Sequence, residues 1–106
     1  MRLSLAASAL LLTGAPALGQ DIDAMSKAMS LGTLIGSEEY CGLTFDQAAI
    51  EAWVEKNIPA DAMDFPQHMS MGHDAEIYQQ SSRSPSAKTA HCAGVTRTAR
   101  NFGLVR

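Results

Sequence analysis

Ten consecutive residues, FPQHMSMGHD from Phe65 to Asp74, hold two of the three histidines and two of the six methionines in the 106-residue chain. Imidazole suits copper, zinc and nickel, and a thioether is soft enough to favour Cu(I), so His68, Met69, Met71 and His73 form a candidate copper site. Whether they converge depends on the local backbone. On a helix capped by Asp64 and opened by Pro66, Met69 and His73 share one face and His68 and Met71 another. Each face then offers two ligands, and Met63, Asp74, Glu76 or another segment has to complete the site. If Gly72 breaks the helix, all four side chains can meet on one ion. The reading without metal makes Phe65, Met69 and Ile77 adaptable core filler and leaves the histidines in solvent.

Little else in the chain suggests chemistry. There is no nucleophile elbow, phosphate-cradling glycine loop, HExxH or CxxC. Asp61 with Asp64, and Glu51 with Glu55, have the spacing of helix neighbours, but no histidine or arginine lies near them in sequence to separate their acidities. His91 and Cys92 are adjacent, and adjacent residues on a helix do not face each other. No catalytic or cofactor-binding residue is assigned, and a non-enzymatic protein is expected.

The elements that must position these residues read as helices. In DIDAMSKAMSLGTLIG, Ile22, Met25, Met29 and Leu31 or Gly32 give an apolar face, and Ala24, Ala28, Gly32 and Gly36 a second stripe of small residues. Such a stripe lets another helix approach closely, within the domain or across a homodimer seam, and Gly36 is a candidate stop. Thr44-Phe45-Asp46-Gln47 reads as a capping box, followed by Phe45, Ala49, Ile50, Trp53 and Val54 as a buried face. Pro59 disfavours helix at Ile58, so that helix should end near Asn57. The last segment has Ser84 as cap, Pro85 as first helical residue and Gly103 after the final turn, with Cys92, Val95, Ala99 and Phe102 inward. The expected fold is all-α, a small bundle of about four helices.

The start of the chain indicates the compartment. Met1-Arg2, the apolar run Leu3 to Leu12, and Ala17-Leu18-Gly19 after Gly14 and Pro16 have the order of a secretory signal peptide, residues 1–19, cut after Gly19 or alternatively after Ala17. The apolar run is too short for a bilayer-spanning helix, so no membrane span is expected after cleavage. Residues 20–106 then form a single helical domain, periplasmic or secreted. A domain of that size has a small core, and Cys41 and Cys92, its only thiols, are expected to form one disulfide.

All eleven acids lie between Asp21 and Glu76, whereas Arg83, Lys88, Arg97, Arg100 and Arg106 follow with no acid among them. The formal charge of the whole chain is -3, and without Arg2 seven basic residues face eleven acids, a balance of -4. Dispersed cations without interleaved aromatics argue against nucleic acid. The expected partner is a protein of the cell envelope, with a homodimer as the alternative.

The stretch from EEYCGLTFDQAAIEAWVEKNIPADAM through SPSAKTAHCAGVTRTARNFGL resembles a group of small exported alphaproteobacterial proteins of unknown function, some of which carry a signal-recognition-particle label. The shared features are Cys41, the helix opening at Thr44 and the run from Ser84-Pro85 to Cys92. The resemblance implies a helical, disulfide-linked periplasmic domain and no activity. A weaker likeness, in cysteine spacing alone, is to small periplasmic acid-stress chaperones, which would lose structure as paired carboxylates are protonated.

Overall fold

The computed structural model describes residues 22–105; the expected signal peptide lies outside them. Four helices follow one another, with no strand among the described residues. Helix α1 covers residues 22–37, α2 Gln47–Asn57, α3 Phe65–Gln80 and α4 Pro85–Asn101. The core is Leu31, Leu34, Phe45, Val95, Ala99 and Leu104, all buried, with Ile50, Trp53, Val54, Phe65, Met69 and Phe102 packed around it. Trp53 stacks on Phe102 with ring centroids 4.6 Å apart, joining α2 to the end of α4. Phe45 of the expected buried face lies in the core, whereas Ala49, Ile50, Trp53 and Val54 of α2 are half-buried and pack against it.

The small-residue stripe of α1, and not its bulky stripe, forms the tightest helix contact. Ala28, Gly32 and Gly36 are buried, and of the expected apolar face Leu31 is buried in the core, whereas Ile22 is 62% and Met25 37% exposed, which corrects the reading at the start of α1. A Cβ placed on Gly32 would collide with the carbonyl oxygen of Met69, and one on Gly72 with the carbonyl oxygen of Met29. The backbones of α1 and α3 therefore touch at a reciprocal pair of glycines, at a separation that side chains as large as methionine would prevent. The stripe is filled by α3 of the same chain, so a homodimer seam is not needed to cover it. Gly72→Ala is expected to destabilise the fold by about 1–3 kcal/mol, because the obstacle is backbone that must shift as a unit. Urea unfolding of the variant beside Gly94→Ala, whose added Cβ would meet nothing within 4 Å, checks this.

Helix ends follow the local signals at Asn57, Ser84 and Gly103 and depart from them at Gly36, at Thr44 and at Asp64, which precedes α3 without a side-chain capping bond. Gly36 does not stop α1; the turn ends at Gly42, whose φ of 68° is easy for glycine and strained for other residues. At the end of α4, Gly103 has φ 78°, its N–H donates to the carbonyl of Arg100, and Leu104 N–H donates to that of Ala99. This is the Schellman pattern, which turns the chain back and inserts Leu104 fully into the core. Ser84 caps α4 by accepting from the N–H of Ala87 at 3.1 Å, and α2 ends at Asn57 before Pro59.

The expected capping box at Thr44 does not form. Asp46 caps α2 instead, accepting from the N–H of Ala49 at 3.2 Å. Phe45 is buried at 2% exposure, and its N–H donates to the Glu38 carboxylate at 2.7 Å. The N–H of Asp46 donates to the carbonyl of Leu104 at 3.0 Å. These tertiary bonds hold Phe45 and Asp46 before the helix, so α2 begins two residues later than the Thr44 signal implies.

Cys41, in the turn after α1, is disulfide-bonded to Cys92 in the middle of α4, with Cα atoms 5.3 Å apart. No free cysteine remains.

Candidate functional site

The FPQHMSMGHD segment is helix throughout. Gly72 does not interrupt α3 because its missing side chain is used by the contact with α1. A loop that gathers His68, Met69, Met71 and His73 therefore does not exist, and the four side chains point to different surroundings. Met69 packs against the core. Met71 is half-exposed. The His73 Nδ1 lies 3.0 Å from an Asp74 carboxylate oxygen. His68 lines a separate cleft with Met25, Met63, Asp61 and Asp64. Ile77, expected as core filler, is 48% exposed. Among the described residues, no three His, Cys, Asp or Glu side chains are grouped so as to hold a metal ion.

The structure instead gathers charge around Glu76, the one buried acid among the described residues, with 4% of its surface exposed. Glu76 lies on α3 one turn before Gln80, and Arg83 lies in the short link that follows. Both Arg83 terminal nitrogens donate to Glu76, each at 2.8 Å to a different carboxylate oxygen. This bidentate arrangement is the strongest form of such a pair. Gln80 Nε2 donates to Glu76 at 3.2 Å and to the carbonyl of Gly36 at 2.8 Å, tying the cluster to α1. His91 Nε2 on α4 lies 3.1 Å from Glu76 and 3.2 Å from Ser37 Oγ. Tyr40 forms the lid: Arg83 lies 5.6 Å and Lys88 4.4 Å from its ring centroid, and its hydroxyl donates to the carbonyl of Gln80 at 3.4 Å.

Burial alone would raise the pKa of Glu76. The hydrogen bonds from Arg83 and Gln80, together with the positive charges of His91 and Arg83, outweigh it and hold the carboxyl at about 2, against an ordinary 4.5. The same pairing with Glu76 pushes the Arg83 guanidinium above its usual range.

Serine, histidine and glutamate in mutual contact invite comparison with a hydrolytic triad, and the wiring decides against it. In a triad the acid orients one ring nitrogen and the other activates the hydroxyl. Here Glu76 and Ser37 both contact Nε2 of His91. Ser37 is fully buried and donates its proton to the carbonyl of Thr33 at 2.8 Å. What the arrangement does chemically is to lock together α1, the α3–α4 link and α4 beside the disulfide. No buried polar side-chain atom among the described residues is left without a partner.

From the sequence, Glu76 reads only as a spare metal ligand and His91 only as a neighbour of Cys92. The available signal was the spacing of Glu76, Gln80 and Arg83, which puts all three on one side of a helix and its continuation. Nothing local distinguishes that pattern from a solvated surface strip; the cover supplied by Gly36, Ser37 and His91 is a tertiary fact.

Two surface features complete the site's surroundings. A cleft of about 550 Å³ between α1 and α3 is lined by Ile35, Glu38, Glu39, Tyr40, His73 and Ile77 among others. On the adjoining outer face of α3, Met71, Ala75 and Tyr78 follow one another at helical steps; Met71 is 50% and Tyr78 85% exposed. No helix among the described residues is long and apolar enough to cross a membrane. Comparison of the chain with protein-family models, with curated proteins and with solved structures gives no match.

Proposed function

We propose that the protein is an exported, non-catalytic binding protein of the cell envelope that engages a protein partner through the outward face of α3. The observation that carries this reading is the placement of Met71, Ala75 and Tyr78 in solvent along one stripe of α3, the helix whose opposite side is committed to α1 and to the Glu76 cluster. Single exposed apolar residues are ordinary, but a strip of them along one helix, with exposed Ile77 on the flank that lines the acidic cleft, is the form that interaction surfaces take. Glu38 and Glu39 at that cleft favour a partner segment with cationic and aliphatic side chains. Export to the periplasm belongs to the same proposal and is supported by the signal-like start of the chain and by the disulfide.

The test is a photo-crosslinking amino acid placed at Tyr78 or Met71 in the native envelope, with the same group at Glu55 on the exposed side of α2 as control. The expected result is one discrete adduct from the α3 positions and none from Glu55. An adduct of twice the protein's own mass would identify the partner as a second copy. Indistinguishable patterns from α3 and α2 would refute the assignment of the face.

A second reading, an acid-stress chaperone, draws on the same buried carboxylate. A fold that depends on a charged Glu76 loses that support as the pH falls toward 2, where such a chaperone would open. Retention of the full helical signal at pH 2 without client protection would remove this reading.

A further inference from the structure

Of the three histidines, His73 and His91 have a ring nitrogen engaged by a carboxylate, whereas among the described residues the His68 ring makes no hydrogen bond or ion pair. His68 is half-buried, so this ring is held by its surroundings without being used by them. It lines a cleft of about 320 Å³ together with Met25 from α1 and Met63 from the link before α3. Neither methionine serves the core. Met63 is 85% exposed and Met25 37% exposed, although methionine in a domain this small is expected to fill interior gaps. Asp61 and Asp64 border the same cleft and give it negative charge, with no lysine or arginine among the lining residues.

We infer that Met25, Met63 and His68 form a binding site for a soft monovalent cation of the Cu(I) and Ag(I) class. Two thioethers and one imidazole are donors that a soft d¹⁰ ion accepts in low coordination, whereas Zn(II) and other harder divalent ions gain little from neutral sulfur. The two carboxylates raise the local concentration of cations without having to ligate. The ligands come from three parts of the chain: α1, the link between α2 and α3, and the first turns of α3. They differ from the set that spacing within FPQHMSMGHD suggests, since only His68 is common to both. The absence of free thiols leaves the thioethers as the softest donors in the protein. This inference does not rest on the proposed partner face: His68 stands one turn before Met71 on the same stripe of α3, but the other two donors, Met25 and Met63, lie outside α3.

The test is titration of the full mature chain with Ag(I), a redox-inert probe, in chloride-free buffer at neutral pH, followed by the NMR signals of the methionine methyl groups and histidine rings. The expected result is one bound ion that shifts Met25, Met63 and His68 and leaves Met71 and His73 in place. Met25→Leu, Met63→Leu and His68→Gln should each weaken binding by about tenfold or more, whereas Met71→Leu and His73→Gln should not change it. Met63 is almost wholly in solvent, so its replacement tests the site without disturbing the core, and the shift map of the unaltered protein needs no variant at all. Shifts confined to Met71 and His73, no saturable binding, or an affinity unchanged by His68→Gln would each overturn the assignment.

Discussion

Arg83→Met is expected to cost about 3–5 kcal/mol of folding stability, because it leaves the Glu76 carboxylate buried without its bidentate partner. The loss exceeds what an exposed pair would show, since Arg83 and Glu76 are 13% and 3% exposed. Gln80 and His91 still contact Glu76, but neither can supply two parallel charge-assisted bonds. Adding Glu76→Gln to Arg83→Met removes the stranded charge and should restore part of the stability, which separates this account from simple loss of packing. Denaturant unfolding of the two single variants and the double variant at neutral pH measures the coupling. Additive losses would mean that the two groups act independently.

Replacing both cysteines, Cys41→Ala with Cys92→Ala, is expected to lower stability by about 4 kcal/mol, from the loop entropy released to the unfolded chain across 51 residues. The bond also has a local role. It holds the turn carrying Tyr40 against α4, next to the residue that brings His91 to Glu76. Because the core contains few large side chains, its two non-hydrophobic clamps, the disulfide and the Glu76 cluster, hold the same corner of the fold. Removing both should therefore destabilise by a different amount from the sum of the separate losses. Urea unfolding with and without reductant, in the natural chain and in Arg83→Met, checks both statements.

The parts of this fold that were legible in the sequence are those fixed by neighbouring residues. Ser84, Pro85 and Gly103 delimit α4, and Pro59 ends α2, because caps and proline act within one turn. The pairing of Cys41 with Cys92 was legible because no third cysteine competes. What was not legible depends on which surfaces meet. The start of α2 moved from Thr44 because Glu38 and Leu104, distant in sequence, take the N–H groups of Phe45 and Asp46. The small-residue stripe of α1 is legible as a surface for close approach, but the helix that fills it, α3, is not, nor is the exposure of Ile22 and Met25 at the start of the apolar face. Glu76 carries no local mark of burial. FPQHMSMGHD is continuous helix, which divides its four candidate ligands between faces, and His68 lines a cleft with Met25 and Met63, which lie outside the segment.

The acid limb of stability follows from the same residue. Glu76 has a folded value of about 2 against an ordinary 4.5, so its contribution is fully present above 4.5 and disappears as the pH falls through that interval toward 2. Linkage puts that contribution on the order of 3 kcal/mol. The most direct measurement is the carbon-detected NMR titration of the Glu76 side-chain carboxyl in the folded protein. A carboxyl still ionised at pH 3, releasing its charge only near 2 as the fold loosens, is the expected result. A Glu76 that titrates near 4.5 in an intact fold would contradict the claim that this cluster is the charged lock of the structure.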